Sequence, residues 1–135
     1  VQLTESQVSA SALAEVFSSA FMDVYDLDAD SFRVKGDRIG VYVEVDKDKK
    51  FIKYSFINKM NNINISAITQ VMNKMNQEYY FLKFSLVPYD NNYFYTSHYY
   101  MSFKKGIINY QLVDNLKMFE RVTYEAAMSE LGDYF

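Results

Sequence analysis

Hydrophobic positions recur along this chain with two different periods, and the switches between them lay out its elements. From Thr4 to about Val24 the residues Leu13, Val16, Phe17, Ala20, Phe21 and Val24 fall at the i, i+3, i+4, i+7 spacing of one helical face. Thr4, with Gln7 three positions on, reads as a capping box at the start of that helix. The helix is expected to end before the acidic run Asp26-Leu27-Asp28-Ala29-Asp30. The period then drops to two. Phe32-Arg33-Val34-Lys35 reads as a short strand and Gly36-Asp37 as a turn. Ile39, Val41, Val43 and Val45 alternate with Gly40, Tyr42 and Glu44, which predicts a strand with one strongly apolar face. After a charged turn, Phe51 to Ile57 forms a third strand, and tight turns between the three predict an antiparallel meander.

From about Ile65 to Tyr79 the helical period returns, with Ile65, Ile68, Val71, Met72 and Met75 in one stripe and Asn64 or Ser66 able to cap its start. Two further strands are predicted over Phe81–Val87 and Tyr93–Phe103, joined by a hairpin turn in Pro88-Tyr89-Asp90-Asn91-Asn92. Beyond Lys104-Lys105-Gly106, Leu112, Val113, Leu116, Phe119, Val122 and Ala126 line one face of a last helix. The predicted order is α-β-β-β-α-β-β-α. Strands grouped in runs, without strict βαβ alternation, indicate an α+β fold: a five-stranded antiparallel sheet with three helices packed on it. There is no repeat, low-complexity tract or Pro/Gly linker, so residues 1–135 are expected to form a single domain.

Composition narrows the function classes. A chain of 135 residues buries roughly two-thirds of its unfolded surface. The absence of cysteine excludes disulfides, thiolate catalysis and thiolate zinc sites, and fits a reducing compartment. Cytoplasm is the expected location, although the start Val1-Gln2-Leu3-Thr4 lacks an initiator Met and leaves a trimmed or removed leader open. No apolar run reaches the roughly 20 residues that span a bilayer. With 14 basic against 17 acidic residues, and the one dense basic run (Asp46 to Lys50) alternating in sign, no nucleic-acid footprint is visible.

Tests for chemistry are negative. The one histidine, His98, lies inside a predicted strand among aromatics, and no nearby motif supplies the partner a catalytic imidazole needs. Asp26, Asp28, Asp30 and Asp37 stand at positions 1, 3, 5 and 12 of a calcium loop. Ser31 replaces the required Gly, Asp37 is shorter than the bidentate Glu, and a strand follows where a helix belongs. The four glycines have no phosphate-loop spacing. Glu120 and Glu125 read as solvated positions of the last helix. Neither an enzyme nor a cofactor is expected.

The aromatic content changes the picture: 13 Tyr and 11 Phe, with no Trp. In the strand 93–103 alternation sends Tyr93, Tyr95, Ser97, Tyr99, Met101 and Phe103 one way and Phe94, Thr96, His98, Tyr100 and Ser102 the other. Both faces are aromatic, whereas a solvated face is normally polar. Either tyrosine is simply a good strand former here, or a second subunit or partner covers the outer face. The partner-binding residues nominated on this basis are Tyr54, Tyr93, Tyr95 and Tyr99. Tyr95→Ser and Tyr99→Ser are then expected to weaken association and spare the fold. Met60, Met72, Met75 and Met101 could supply adaptable contacts or core.

The stretch Met75-Asn76-Gln77-Glu78-Tyr79-Tyr80-Phe81-Leu82-Lys83-Phe84-Ser85-Leu86 resembles the YbjN family, bacterial proteins named as sensory transduction regulators. Members have an aromatic-Asn pair closing a helix, then Phe and a strand, an acidic turn, an alternating strand, a Gly-containing loop and a terminal helix. Asn76, Phe81, Asp90, Gly106 and the helix from about Asn109 follow that order. Met75 stands where the family has Trp, and Lys104-Lys105-Gly106 replaces a more Gly-rich loop. The resemblance implies a fold like that of type III secretion chaperones, small α+β domains that often dimerise and hold extended partner segments, with no catalytic residues. The expected function is a non-enzymatic protein or peptide binder, as a homodimer. The alternatives are a dedicated type III secretion chaperone for one client, or a small-molecule-binding or hydrolytic domain with a pocket near Tyr54, Tyr95 or His98.

Overall fold

The computed structural model describes residues 2–61 and 63–135. Strands β2 (Asp23–Tyr25), β3 (Ser31–Lys35), β4 (Gly40–Asp46), β5 (Phe51–Lys59), β6 (Lys83–Tyr89) and β7 (Asn92–Ser102) build one antiparallel sheet in the order β2-β3-β4-β5-β7-β6. A separate two-stranded ribbon joins β1 (Gln2–Leu3) to β8 (Ile107–Ile108). The helices are α1 (Ala10–Ser19), α2 (Ile65–Glu78) and α3 (Asn109–Leu131). The α+β class, the antiparallel sheet and the three helices match the expectation from sequence. The main sheet has six strands where five were expected.

The sixth strand, β2, comes from a region expected to be helical. Residues Glu5–Gln7 form a single 3-10 turn, with the Thr4 backbone N–H donating to Gln7 Oε1 at 2.9 Å, so the capping box opens a short turn and not the long helix. Ser9 is the true cap of α1: its hydroxyl accepts from the Ala12 N–H at 3.1 Å. At the other end Phe21 takes a left-handed φ of 63°. The Met22 N–H reaches back to the Phe17 carbonyl at 3.1 Å and the Phe21 N–H to that of Ser18 at 3.0 Å, which is a Schellman stop. The reversal frees Val24 to pair with Val34. Val24 had the right spacing for the helix, but backbone direction overrode it.

Two other boundaries moved for physical reasons. The β6–β7 turn is only Asp90-Asn91, with φ of 51° and 61°, the double left-handed geometry of a two-residue hairpin. Pro88 therefore lies within β6, as an edge strand permits. The second helix stops at Glu78, and Tyr79–Leu82 turn before β6 begins.

Register decides which side chains meet the helices. Val43 lies opposite Tyr54, Tyr54 opposite Tyr99 and Leu86 opposite Tyr95. With Phe32, Val34, Val41, Val45, Ile52 and Phe84 they form one continuous apolar face, onto which α1, α2 and α3 place Leu13, Phe17, Ile68, Met72, Met75, Leu112, Leu116 and Phe119. Burying a side chain of this size contributes about 2 kcal/mol each. Met60 and Met101 are interior too, so the methionines singled out from sequence are core.

Candidate functional site

The tyrosines nominated from sequence divide by depth. Tyr54 and Tyr95 are both 0% exposed, and Tyr93 and Tyr99 are half-buried on the same helix-facing side. The ring of Tyr54 sits among Phe17, Tyr99 and Phe119, with centroids 6.2 to 6.3 Å apart, and its hydroxyl donates to the Leu112 carbonyl at 2.7 Å. Tyr95 stacks on Phe84 and meets Phe56 and Phe135 edge-on. Its hydroxyl reaches the Thr123 carbonyl at 3.5 Å, beside a buried Ser97–Thr123 hydroxyl pair at 3.0 Å. Burial pushes both phenols well above their ordinary pKa, so both remain hydrogen-bond donors. These side chains are the centre of the core and are not a contact surface. Alternation correctly placed Tyr93, Tyr95 and Tyr99 together, but the side on which they lie is the one the helices cover.

The opposite face carries Tyr25, Arg33, Tyr42, Lys53, Ile57, Phe94, Thr96, His98 and Tyr100, and among the described residues no helix packs on it. Several of its apolar groups meet solvent: Ile57 is 59% exposed and Tyr100 50%. A groove of about 570 Å³ runs over it, lined by Tyr25, Arg33, Tyr42, Lys53, Ile57 and His98 among others. Arg33 lies over the Tyr42 ring at 5.1 Å and Lys53 near that of Tyr100 at 5.9 Å. Lys53 also meets Glu44 at 3.7 Å.

His98 stands in the middle part of β7, one strand in from the β6 edge of this face. Its partner across β5 is Ser55 and across β6 is Lys83. The Nδ1 atom is buried with no hydrogen-bond partner. Burial, reinforced by the positive charges of Lys53 and Lys83, lowers its pKa from 6.5 to about 4, so the ring is neutral at neutral pH.

Two polar side chains of the helices, Asn76 and Glu120, hold backbone of the sheet in place. Asn76, in the segment that carried the family resemblance, clamps the outer backbone edge of β6: its Oδ1 accepts from the Phe84 N–H at 2.7 Å and its Nδ2 donates to the Phe84 carbonyl at 2.9 Å. Two positions further along this edge Leu86 points the same way, and then Pro88 offers no N–H. Edge-strand addition on β6 is thus blunted. On α3, Glu120 is buried, whereas its position on the helix reads as solvated. Its Oε1 accepts from the Arg38 and Ile39 N–H groups at 2.6 and 3.2 Å, tying the β3–β4 turn to α3. A Cβ on Gly36 would come within 2.6 Å of both Glu120 Cγ and the Ile39 carbonyl oxygen, which explains the glycine. A carboxylate eighty residues from its partners leaves no local signal. Glu125 is exposed, as expected.

The acidic loop makes local contacts. Asp26 pairs with Arg33 at 3.6 Å, and Asp28 Oδ1 accepts from the Ala29 N–H at 2.8 Å. Among the described residues no three His, Asp or Glu side chains converge as metal ligands, and no helix is long and apolar enough to cross a membrane.

This architecture is a known one. The crystal structure of YbjN from E. coli superposes with a TM-score of 0.81 over 98% of this chain and 97% of that one, at 10% sequence identity. The chain has the YbjN fold. That protein is described as "a putative transcription regulator". No family model and no curated protein matches the sequence. At 10% identity the likeness concerns backbone architecture, and it agrees with the YbjN resemblance drawn from the segment around Asn76.

Proposed function

We propose that this chain is a non-enzymatic interaction module of the YbjN type, regulatory or chaperone-like, that binds a partner protein on the helix-free face of its sheet. The observation that carries the reading is the sheet itself: six strands packed by helices on one side, with aromatic and aliphatic side chains left open on the other. The packing of Tyr54 and Tyr95 supports it, since their neighbours fill the space where an enclosed small-molecule pocket was considered. The Asn76 clamp and Pro88 favour binding to the face over addition of a strand at β6.

The test compares capture by the tagged parent with capture by an Ile57→Glu variant, followed by reconstitution from purified components. A stoichiometric partner bound by the parent and lost by the variant supports the reading. Equal capture by both moves the interface elsewhere. A homodimer through the same face is the alternative, and a parent of dimeric mass that becomes monomeric on Ile57→Glu would select it.

A further inference from the structure

Charge is not spread evenly over the helix-free face. Strands β5, β7 and β6, of 9, 11 and 7 residues, contain no Asp or Glu at all, in a chain with 17 acidic residues against 14 basic. Their charged groups are Lys53, Lys59 and Lys83, joined by His98, and all four share the parity of the open face. The acidic side chains of that face, Asp23, Glu44 and Asp46, lie on β2 and β4. Glu44 is held by Lys53, and Asp46 accepts from the Asp48 and Lys49 N–H groups at 3.1 and 2.9 Å. One half of the face is therefore basic and aromatic in a protein that is acidic as a whole.

We infer that the β5–β7–β6 half of the open face takes an acidic segment of a partner protein, one carboxylate of which lies at His98 between Lys53 and Lys83. This rests on the reading of the face as an interaction surface and adds the chemistry of what it recognises. Lys83 is directly across from His98, and Lys53 is diagonal to it through the Tyr100 pair, so both ammonium groups reach a carboxylate placed over the imidazole. Burial is the main reason the ring is neutral and the two lysines add to it; a carboxylate offsets their charge and supplies the imidazolium with a counter-ion, so His98 takes up a proton as it binds. The charged groups around His98 are Lys53 from β5 and Lys83 from β6, with none on β7; Glu44 of β4 pairs with Lys53, and Arg33 of β3, which lines the same groove, pairs with Asp26. Ile57, Phe94 and Val87 flank the site and suit apolar residues interleaved with the acidic ones.

A nucleic acid is the other polyanion such a surface could meet, and the small number of cations favours protein. Three lysines neutralise few phosphates.

His98 is the one histidine of the chain, so its ring signals in an NMR titration report on this site alone. The probes are a peptide of repeated Glu-Glu-Leu, its Gln-Gln-Leu counterpart and single-stranded oligodeoxythymidine, each added to the full chain between pH 3 and 8. The expected result is a rise of one pH unit or more in the His98 midpoint with the acidic peptide, little change with the other two, and at least tenfold weaker binding by the Lys53→Glu/Lys83→Glu variant. An unmoved midpoint at saturating peptide, or peptide binding unchanged in that variant, overturns the site. A shift produced by the oligonucleotide and not by the peptide overturns it in favour of nucleic acid. If the partner protein is captured equally well by the double variant, the interaction module stands and the His98 site falls.

Discussion

The two faces of the sheet share tyrosine, and their tyrosines have opposite fates. On the covered face Tyr54, Tyr95 and Tyr99 join Phe17, Phe84 and Phe119, and the phenol groups of Tyr54 and Tyr95 find backbone carbonyls on α3. On the open face Tyr25, Tyr42 and Tyr100 lie beside Arg33 and Lys53, with their rings part in solvent. An aromatic residue in a strand thus carries no fixed role. What separates core from surface is the neighbour: aliphatic and aromatic groups delivered by helices on one side, cationic stems on the other.

The sharpest way to break this comparison is to truncate one tyrosine from each face. Tyr95→Ala is expected to cost about 4 kcal/mol in denaturant unfolding, the range for emptying a large core site. Tyr95→Ser should destabilise the chain to a similar extent and cannot serve as a surface test. If Tyr95→Ala were mild, the covered face would not be the core. Next in size is Glu120→Ala, expected to cost about 2 kcal/mol because two turn N–H groups lose a charged acceptor. Asn76→Ala should cost slightly less, about 1.5 kcal/mol for two lost bonds at a partly exposed edge. It should also promote concentration-dependent self-association, visible by light scattering, as the β6 edge opens.

The open face predicts smaller effects. His98 has a folded pKa of about 4, below its ordinary 6.5, so between these values the unfolded chain binds the proton first. Stability from the neutral ring is complete above pH 6.5 and is lost as the pH falls to about 4. With the ring only partly buried, about 1 kcal/mol is at stake, and His98→Asn should remove that part of the acid slope. Smallest of all, Tyr100→Ala should change stability by about 0.5 kcal/mol or less. A large loss there would mean that the open face is structural and would erase the contrast.

Much of the architecture could be read from period alone. β3, β4, β5, α2, β7 and α3 lie close to where the hydrophobic spacing placed them, because each is long enough to show its period and is bounded by turn residues. β2 and β8 could not be read, at three and two residues, since strands that short carry no alternation. The helix over Thr4–Val24 shrank to Ala10–Ser19 because Ser9 and the left-handed Phe21 set its ends, and Phe is an uncommon residue for that stop. Asn76 was noticed for the company it keeps in sequence, and its clamp on Phe84, eight residues on, gives that motif a physical purpose.

By itself the sequence determined the fold class, the three helices, the sorting of each strand into two alternating sets, and the absence of thiol chemistry. These follow from covalent geometry, since side-chain direction in a strand reverses at every residue. Tertiary structure decided which set became the interior. Register had to link Val43 to Tyr54 and Tyr54 to Tyr99 before the tyrosines of β7 could be assigned to the side that α1 and α3 cover. That pairing is long-range, as is the bond from Glu120 to the β3–β4 turn. Packing energy is therefore what turned one aromatic face into a core and left the other, with Lys53, Lys83 and His98, facing outward.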